Sequence, residues 1–186
     1  MMIITALRPG DGACKPTGPV GGADSDYKTI TVEECNLHRI IAGGEDALGL
    51  LERDGELFLK IESYSGLQMD DPERGPHFQL DSDLERVFSD HDVEITLTVR
   101  PSNRRGAHSF QSYYSVGRDG GSGWQTFDMF PDWKEYSFTY RVPEKKGENA
   151  FDYLGIRPVV PEDTRAIEIK RVRFRRIEKP QPGDGA

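Results

Sequence analysis

The stretch from Val93 to Val142 constrains the fold of this chain more than any other part of the sequence. It begins with VEITLTVRP, in which apolar and polar side chains alternate strictly. Three more strand-like runs rich in Tyr, Phe and Trp follow, namely FQSYYSVG, GWQTFDMFPDW and EYSFTYRVP. A period of two is typical of a strand with one face in a core and the other towards solvent. Four such runs in succession predict a β-sandwich.

The rest of the chain extends this pattern to about nine strands with at most one short helix. Further strand-like runs are YKTITV (27–32), LHRIIA (37–42), HFQLD (77–81), the segment 148–161 and AIEIKRVRFRRI (166–177). The connections between the runs are too short for βαβ crossovers, so we expect the sheets to be antiparallel. The fold class predicted from the sequence is therefore an all-β, antiparallel sandwich.

Two local signals sharpen this prediction. Asp54-Gly55 joins two apolar runs and tolerates the positive φ of a type I′ turn, which predicts a hairpin with Leu57, Leu59 and Ile61 facing the core. The sequence Ser-Asp-Leu-Glu from position 82 fits a capping box, so we expect one or two helical turns over 83–89.

The last strand carries a change of parity. Ile169 and Val172 cannot both face the core of a regular strand, which predicts a β-bulge near Lys170-Arg171. Beyond the bulge, Arg173 and Arg175 share parity with Arg171. A basic row of this kind resembles a nucleic-acid patch, but a solvent face needs polar side chains in any case.

Composition and termini set the domain plan. Residues 1–28 are dense in Gly and Pro and read as an arm, 29–178 as the sandwich domain and 179–186 as a tail. Ile3 to Leu7 is a candidate short edge strand. The formal net charge of −8 argues against nucleic acid and anionic membranes as partners. No apolar run reaches the ~18 residues of a membrane-spanning helix.

The N-terminus and the cysteines bear on location. MMIITALRPG lacks the basic n-region of a signal peptide, so we expect a cytoplasmic location unless another export route is used. Cys14 and Cys35 are the only cysteines and show no metal-ligand spacing. One disulfide is possible, but in the cytoplasm we expect two free thiols.

A family resemblance follows from the order of the strands. The run GWQTFDM, PDWKEYSFTYRVP, DYLGIRP and IEIKRVRF resembles the galactose-binding-domain-like jelly rolls, and within them the carbohydrate-binding modules of glycoside hydrolases and polysaccharide lyases. The likeness covers residues 85–177, and more loosely 29–177. It implies a jelly-roll sandwich that binds sugar, although members of this fold also serve as interaction domains and spacers.

The resemblance also implies a structural calcium in many members, with an Asp pair in the closing strand. Here that pair falls on Lys170-Arg171, and cations cannot ligate calcium. Acidic residues at 70–73 and 81–92 could meet around calcium, but solvated loop charge is the simpler interpretation. We therefore expect neither metal nor cofactor.

The aromatic residues divide by parity into core and surface. We expect Trp133 to be structural and a second set to lie in the core: Phe110, Tyr114, Phe127, Phe138 and Tyr140. Tyr113, Trp124 and Tyr153 have the opposite parity, and large aromatic side chains on a polar face need an explanation. One explanation is a sugar site and the other is a loop that crosses the face and covers the rings.

The candidate ligand-binding site is one polar sheet face. Its predicted residues are Arg100, Gln111, Tyr113, Trp124, Tyr153 and Arg157. Two arginines on one face match carboxylates bidentately, which suggests an acidic sugar.

Catalytic signatures are weak. Ser122 in GGSGW lacks the strand–elbow–helix context of a hydrolase nucleophile. Nothing singles out a glycosidase pair among the 32 acidic residues. The sequence thus predicts a non-catalytic carbohydrate-binding module recognising an oligo- or polysaccharide. The alternative is a protein-interaction or accessory domain without a sugar ligand.

Overall fold

Two antiparallel sheets pack face to face and confirm the predicted β-sandwich. The structure is a computed structural model that describes residues 5–6, 28–43, 46–64, 70–145 and 151–178. Those residues contain eleven strands, against about nine expected: β1 Thr5–Ala6, β2 Thr29–Glu33, β3 Ala47–Arg53, β4 Glu56–Ser63, β5 His77–Gln79, β6 Asp92–Pro101, β7 Ser109–Ser115, β8 Gln125–Asp128, β9 Lys134–Arg141, β10 Tyr153–Pro158 and β11 Arg165–Ile177.

The larger sheet has seven strands in the described residues. Six follow the order β1-β3-β4-β11-β6-β9, and β2 pairs with the C-terminal half of β11. The smaller sheet has the order β5-β10-β7-β8. Strand β11 is the spine of the larger sheet, because β6 pairs along its length while β4 and β2 share its other edge.

The predicted bulge in β11 is confirmed. Ile169 lies opposite Val99 and Arg171 opposite Thr98, so Lys170 is the extra residue. Because of the bulge, the side chains of Ile169 and Val172 both point into the core, where both are fully buried.

The basic row beyond the bulge is paired across the sheet. The Arg171 Nε donates to Glu33 at 2.5 Å, and Arg175 lies 2.9 Å from Glu94. These cross-strand pairs give the row a structural role on the outer face of the larger sheet.

The core lies between the two sheets. Phe110 and Tyr114 are fully buried, and Phe127, Phe138 and Tyr140 pack partly buried against the same cluster, as their parity predicts. The predicted hairpin is also confirmed: Asp54 and Gly55 have φ of 55° and 80°. Leu57, Leu59 and Ile61 contribute to the core.

The single α-helix of the described residues is α1, Ser82–Phe88, one residue earlier than predicted. Leu84 and Phe88 enter the core at helical spacing. No helix in the described part of the chain is both long and apolar enough to cross a membrane.

The predicted strand over 37–42 is wrong. Glu34–Arg39 forms a 3₁₀ helix instead. Leu37 and Ile40, three residues apart, both reach the core, and a period of three suits a 3₁₀ turn. A short apolar run does not distinguish the two structures.

The arm contains the edge strand that the sequence suggested, because Thr5 pairs with Glu52 and Ala6 with Leu51. The expectation of free thiols is wrong: Cys35 is disulfide-bonded. Sequence spacing cannot show whether two cysteines lie within the ~7 Å between Cα atoms that a disulfide needs. Cys14, residues 7–27 and the tail from 179 lie outside the described residues.

A buried ionic cluster anchors the chain where it enters β10. Asp152, whose side chain is fully buried, accepts from Tyr114 Oη at 2.8 Å and from Lys145 Nζ at 2.5 Å. Its backbone amide donates to Glu85 Oε1 of α1 at 2.9 Å. Burial raises the pKa of both Asp152 and Glu85, against the lowering effect of Lys145. The cluster fixes β10, the strand that carries Tyr153 and Arg157 of the candidate site.

Candidate functional site

Most of the predicted site residues lie on the outer face of the smaller sheet. Alternation along β7 places Gln111 and Tyr113 outside, opposite Arg157 and Gly155 of β10. Tyr153 follows one row further, and Trp124 lies just before β8. We call the five predicted residues on this surface, Gln111, Tyr113, Trp124, Tyr153 and Arg157, the aromatic face.

A polar network holds one end of the aromatic face. The guanidinium of Arg157 lies 3.9 Å from the centroid of the Trp124 ring, and its Nε donates to Gln111 Oε1 at 2.9 Å. Gln111 in turn donates to the Thr126 hydroxyl at 3.0 Å. Burial lowers the pKa of Arg157, as expected for a guanidinium held against a ring rather than in water. The network fixes the orientation of both the indole and the guanidinium.

The tyrosines are held by neighbouring rings and backbone. Tyr113 meets Trp124 edge-on with centroids 5.5 Å apart, and Tyr153 meets His77 at 5.4 Å in the same manner. The backbone of Gly121 lies so close to Tyr113 that a Cβ there would come within 2.2 Å of ring atom Cε1. Any larger residue at that position would displace the tyrosine ring from its present place.

A loop crosses the aromatic face. The segment 70–76, which we call the strap, passes over β10 before it leads into β5, and a Cβ on Gly155 would lie 2.9 Å from Pro72. The Trp124 Nε1 donates to the Asp70 carbonyl at 2.9 Å, and the Ser115 hydroxyl donates to Glu73 at 3.3 Å. The crossing loop that the sequence left open as an alternative is therefore present.

The strap does not bury the rings completely. Tyr113, Trp124 and Tyr153 keep intermediate exposure. Between the strap and the turn at 117–120 lies an open cleft of about 420 Å³, and Tyr113 is the one aromatic residue among the described residues that line it. The residues lining it are Asp71, Pro72, Glu73, Tyr113, Ser115, Gly117, Arg118 and Gly120.

Arg100 does not belong to this surface, so the prediction of one shared face is wrong. Arg100 lies on β6 of the larger sheet, where its Nε donates to Glu168 at 2.8 Å. Its guanidinium stacks 4.2 Å from the centroid of Trp133, whose ring also meets Phe58 edge-on at 6.1 Å. Glu168 is only 1% exposed. This cluster has a structural role, as predicted for Trp133.

The electrostatics of the aromatic face are acidic rather than basic. Asp46 and Asp70 both interact with Arg157, and burial raises the pKa of Asp46. The strap adds the carboxylates of Asp71 and Glu73 at the cleft. The half-buried guanidinium of Arg157 therefore interacts with two carboxyl groups, and two more line the neighbouring cleft.

The strap residues are functional candidates that the sequence interpretation assigned to solvated loop. The signal that could have found them is Gly155, a glycine inside a predicted strand, since such a glycine marks a close approach of other backbone. The approaching group is Pro72.

The expected calcium ligand positions carry paired cations. Lys170 donates to Glu56 at 2.6 Å, and Arg171 is paired with Glu33. Among the described residues, no three His, Cys, Asp or Glu side chains come together as metal ligands would.

Comparison with known proteins shows the fold. No protein-family model and no curated protein matches the chain. The CBM22-2 xylan-binding domain of Paenibacillus barcinonensis Xyn10C superposes with a TM-score of 0.56 at 14% identity, over 81% of this chain and 99% of that one. The C-terminal family 22 carbohydrate-binding module of Clostridium thermocellum Xyn10B gives 0.54 at 16% identity, over 82% and 95%. The CBM22-1 xylan-binding domain of Xyn10C gives 0.53 at 13%, over 83% and 96%. The chain thus has the jelly-roll fold of carbohydrate-binding modules, which confirms the resemblance.

Proposed function

We propose that the protein is a non-catalytic carbohydrate-binding module whose ligand lies on the aromatic face. The observation that carries the proposal is the fixed arrangement of partly exposed Tyr113 and Trp124 beside Arg157 and Gln111 on one sheet surface. The fold shared with two xylan-binding domains supports the same class of ligand.

The chemistry of the face suits a sugar. The C–H faces of a pyranose pack on aromatic rings, while its hydroxyls need donors and acceptors at the ring edge. Trp124 and Tyr113 supply the rings, and Gln111, Thr126 and Arg157 supply polar groups. These side chains already hold one another in place, so binding orders few rotamers, and that lowers its entropic cost.

We propose a neutral rather than an acidic glycan. The acidic preference depended on two arginines on one face, but Arg100 lies on the other sheet. The remaining Arg157 interacts with Asp70 and Asp46, and a uronic acid would add further negative charge beside them. Like charges at short range are unfavourable, so a neutral chain of the xylan or β-glucan class fits the surface better.

Affinity electrophoresis tests the proposal. Gels that contain xylan, mixed-linkage β-glucan or polygalacturonate are compared with a gel that contains no polysaccharide. We expect retardation by at least one of the two neutral polymers and a weaker effect of polygalacturonate. Equal migration in every gel would contradict the proposal, and preference for polygalacturonate would contradict its neutral specificity.

Matched variants locate the site. Trp124→Ala and Tyr113→Ala should each weaken retention by ~1–3 kcal/mol, the range of binding hot spots. Trp133→Ala is the control, because Trp133 lies just before β9 and packs against Arg100 of the larger sheet. Thermal midpoints of all three variants separate lost binding from lost folding. Equal weakening by Trp133→Ala would contradict the assignment of the site.

The disulfide at Cys35 bears on location. Disulfides persist in oxidising compartments and are rare in the cytoplasm. We propose that the domain acts outside the reducing cytoplasm, by the export route that the sequence left open.

A further inference from the structure

We infer that the cleft beside the strap recognises the end of a glycan chain rather than an internal segment. This inference rests on the proposed function, and it names the part of the ligand that the site reads. It follows from how the strap closes the cleft.

The strap crosses strands β10 and β7 on the outer face of the smaller sheet and so interrupts the surface along each strand. Pro72 lies directly on Gly155 of β10, and Glu73 accepts from the Ser115 hydroxyl of β7. An extended sugar chain cannot pass along these two strands without displacing the strap.

A second contact bounds the cleft on the side of β8. There the Trp124 indole donates to the Asp70 carbonyl and so joins the strap to the segment that precedes β8. Gly121 of that segment packs on the ring of Tyr113, which lines the cleft. The strap, Tyr113 and the segment 121–124 thus meet at one end of the cleft, and a chain that enters from the opposite end cannot continue.

The size and polarity of the cleft fit one terminal sugar and its neighbour. Its volume of about 420 Å³ lies near the lower end of the ~300–1,000 Å³ typical of small-ligand sites. Asp71, Glu73 and Arg118 line the cleft above the tyrosine ring. A terminal unit carries a free hydroxyl that every internal unit has replaced by a glycosidic oxygen, which accepts but cannot donate. The carboxylates on the strap accept hydrogen bonds, so they distinguish the terminal hydroxyl from a linkage.

The test asks whether the number of protein molecules bound depends on the number of glycan chain ends or on the mass of glycan. Xylan and mixed-linkage β-glucan are each offered intact and after limited acid hydrolysis to shorter chains, at constant mass. Saturation binding by calorimetry measures the number of protein molecules bound per gram. If the protein reads chain ends, this number rises in proportion to the measured reducing ends.

The outcomes separate the two proposals. Sites per gram that stay constant or fall on hydrolysis would overturn chain-end recognition while leaving glycan binding intact. Heat signals absent for every preparation would contradict the proposed function itself. Borohydride reduction of the hydrolysed chains then tells the two ends apart: lost binding assigns the reducing end, and unchanged binding assigns the non-reducing end.

Two variants test the geometry. Trp124→Phe keeps an aromatic ring but removes the donor to Asp70, so the closed side should open and the sites per gram on intact polymer should increase relative to the wild type. Glu73→Gln should weaken binding of xylohexaose or cellohexaose by about tenfold, since the acceptor loses its charge and a charged acceptor makes the stronger hydrogen bond. Glu135→Gln, on the outer face of the larger sheet, is the matched control and should bind as the wild type. Equal behaviour of the two Gln variants would overturn the assignment of the cleft.

Discussion

Substitution of Gly155 by alanine tests whether the strap rests on the sheet. A Cβ at this position would lie 2.9 Å from Pro72 Cβ and 3.1 Å from the Pro72 carbonyl oxygen, closer than side chains normally approach. Pro72 would have to move by a few tenths of an ångström. Overpacking of this kind typically costs ~1–3 kcal/mol of unfolding free energy.

A second strand glycine isolates that cost. A Cβ on Gly49 of β3 would lie 3.9 Å from Leu51 Cδ2, which is ordinary van der Waals contact. Glycine inside a strand is unfavourable by ~0.5–1 kcal/mol relative to alanine, so Gly49→Ala should stabilise by about that amount. Gly155→Ala gains the same stabilisation from the loss of glycine, but the clash with Pro72 lowers its unfolding free energy. The difference between the two variants therefore measures the clash alone.

The assay is thermal unfolding of both variants beside the wild type. For a chain of this size, ~1–3 kcal/mol corresponds to about 2–12 °C in the midpoint. We expect Gly155→Ala to melt below Gly49→Ala by that interval, with faster proteolysis within 70–76. Equal midpoints, or a higher midpoint for Gly155→Ala, would refute the close contact between the strap and β10.

Three further predictions concern the scaffold. Arg100→Ala removes the closest cation from buried Glu168, which should cost about 3 kcal/mol by chemical denaturation and leave glycan retention unchanged; weakened retention would return Arg100 to the site. Reduction of the Cys35 disulfide should lower the thermal midpoint by the equivalent of ~2–4 kcal/mol, the typical contribution of a disulfide, and thiol labelling without reduction would contradict the disulfide. Burial raises the pKa of Asp152 in the folded protein, so the folded state binds the proton more tightly than the unfolded chain. The stability of the wild type relative to Asp152→Asn should therefore fall as the pH rises from about 4 through the folded pKa, and a difference that is flat between about pH 4 and pH 8 would contradict this.

Periodicity was sufficient for those features that depend on one strand or one turn. Alternation along β7 separates the buried Phe110 and Tyr114 from the outward Gln111 and Tyr113, because successive side chains of a strand point to opposite faces. The parity change in β11 located the bulge at Lys170, since a bulge is the local means of returning two apolar residues to one core.

Features that depend on contacts between distant segments could not be predicted in this way. The alternation in β6 shows that Arg100 lies on the polar face of its strand. It does not show which of the two sheets β6 joins. The disulfide of Cys35 and the path of the strap are likewise set by tertiary packing. The 3₁₀ helix Glu34–Arg39 replaced a strand because a short apolar run satisfies either period.

Tryptophan fluorescence gives the most direct measurement of the site. The chain has two tryptophans, so Trp133→Phe leaves Trp124 as the only indole and Trp124→Phe leaves Trp133 as the only one. Xylohexaose or cellohexaose is titrated into each variant. A ligand on the aromatic face should change the emission of Trp124 in a saturable manner and leave the emission of Trp133 constant. Saturable change at Trp133 alone, or no change at Trp124 at ligand concentrations where calorimetry detects binding, would contradict a glycan site on this face.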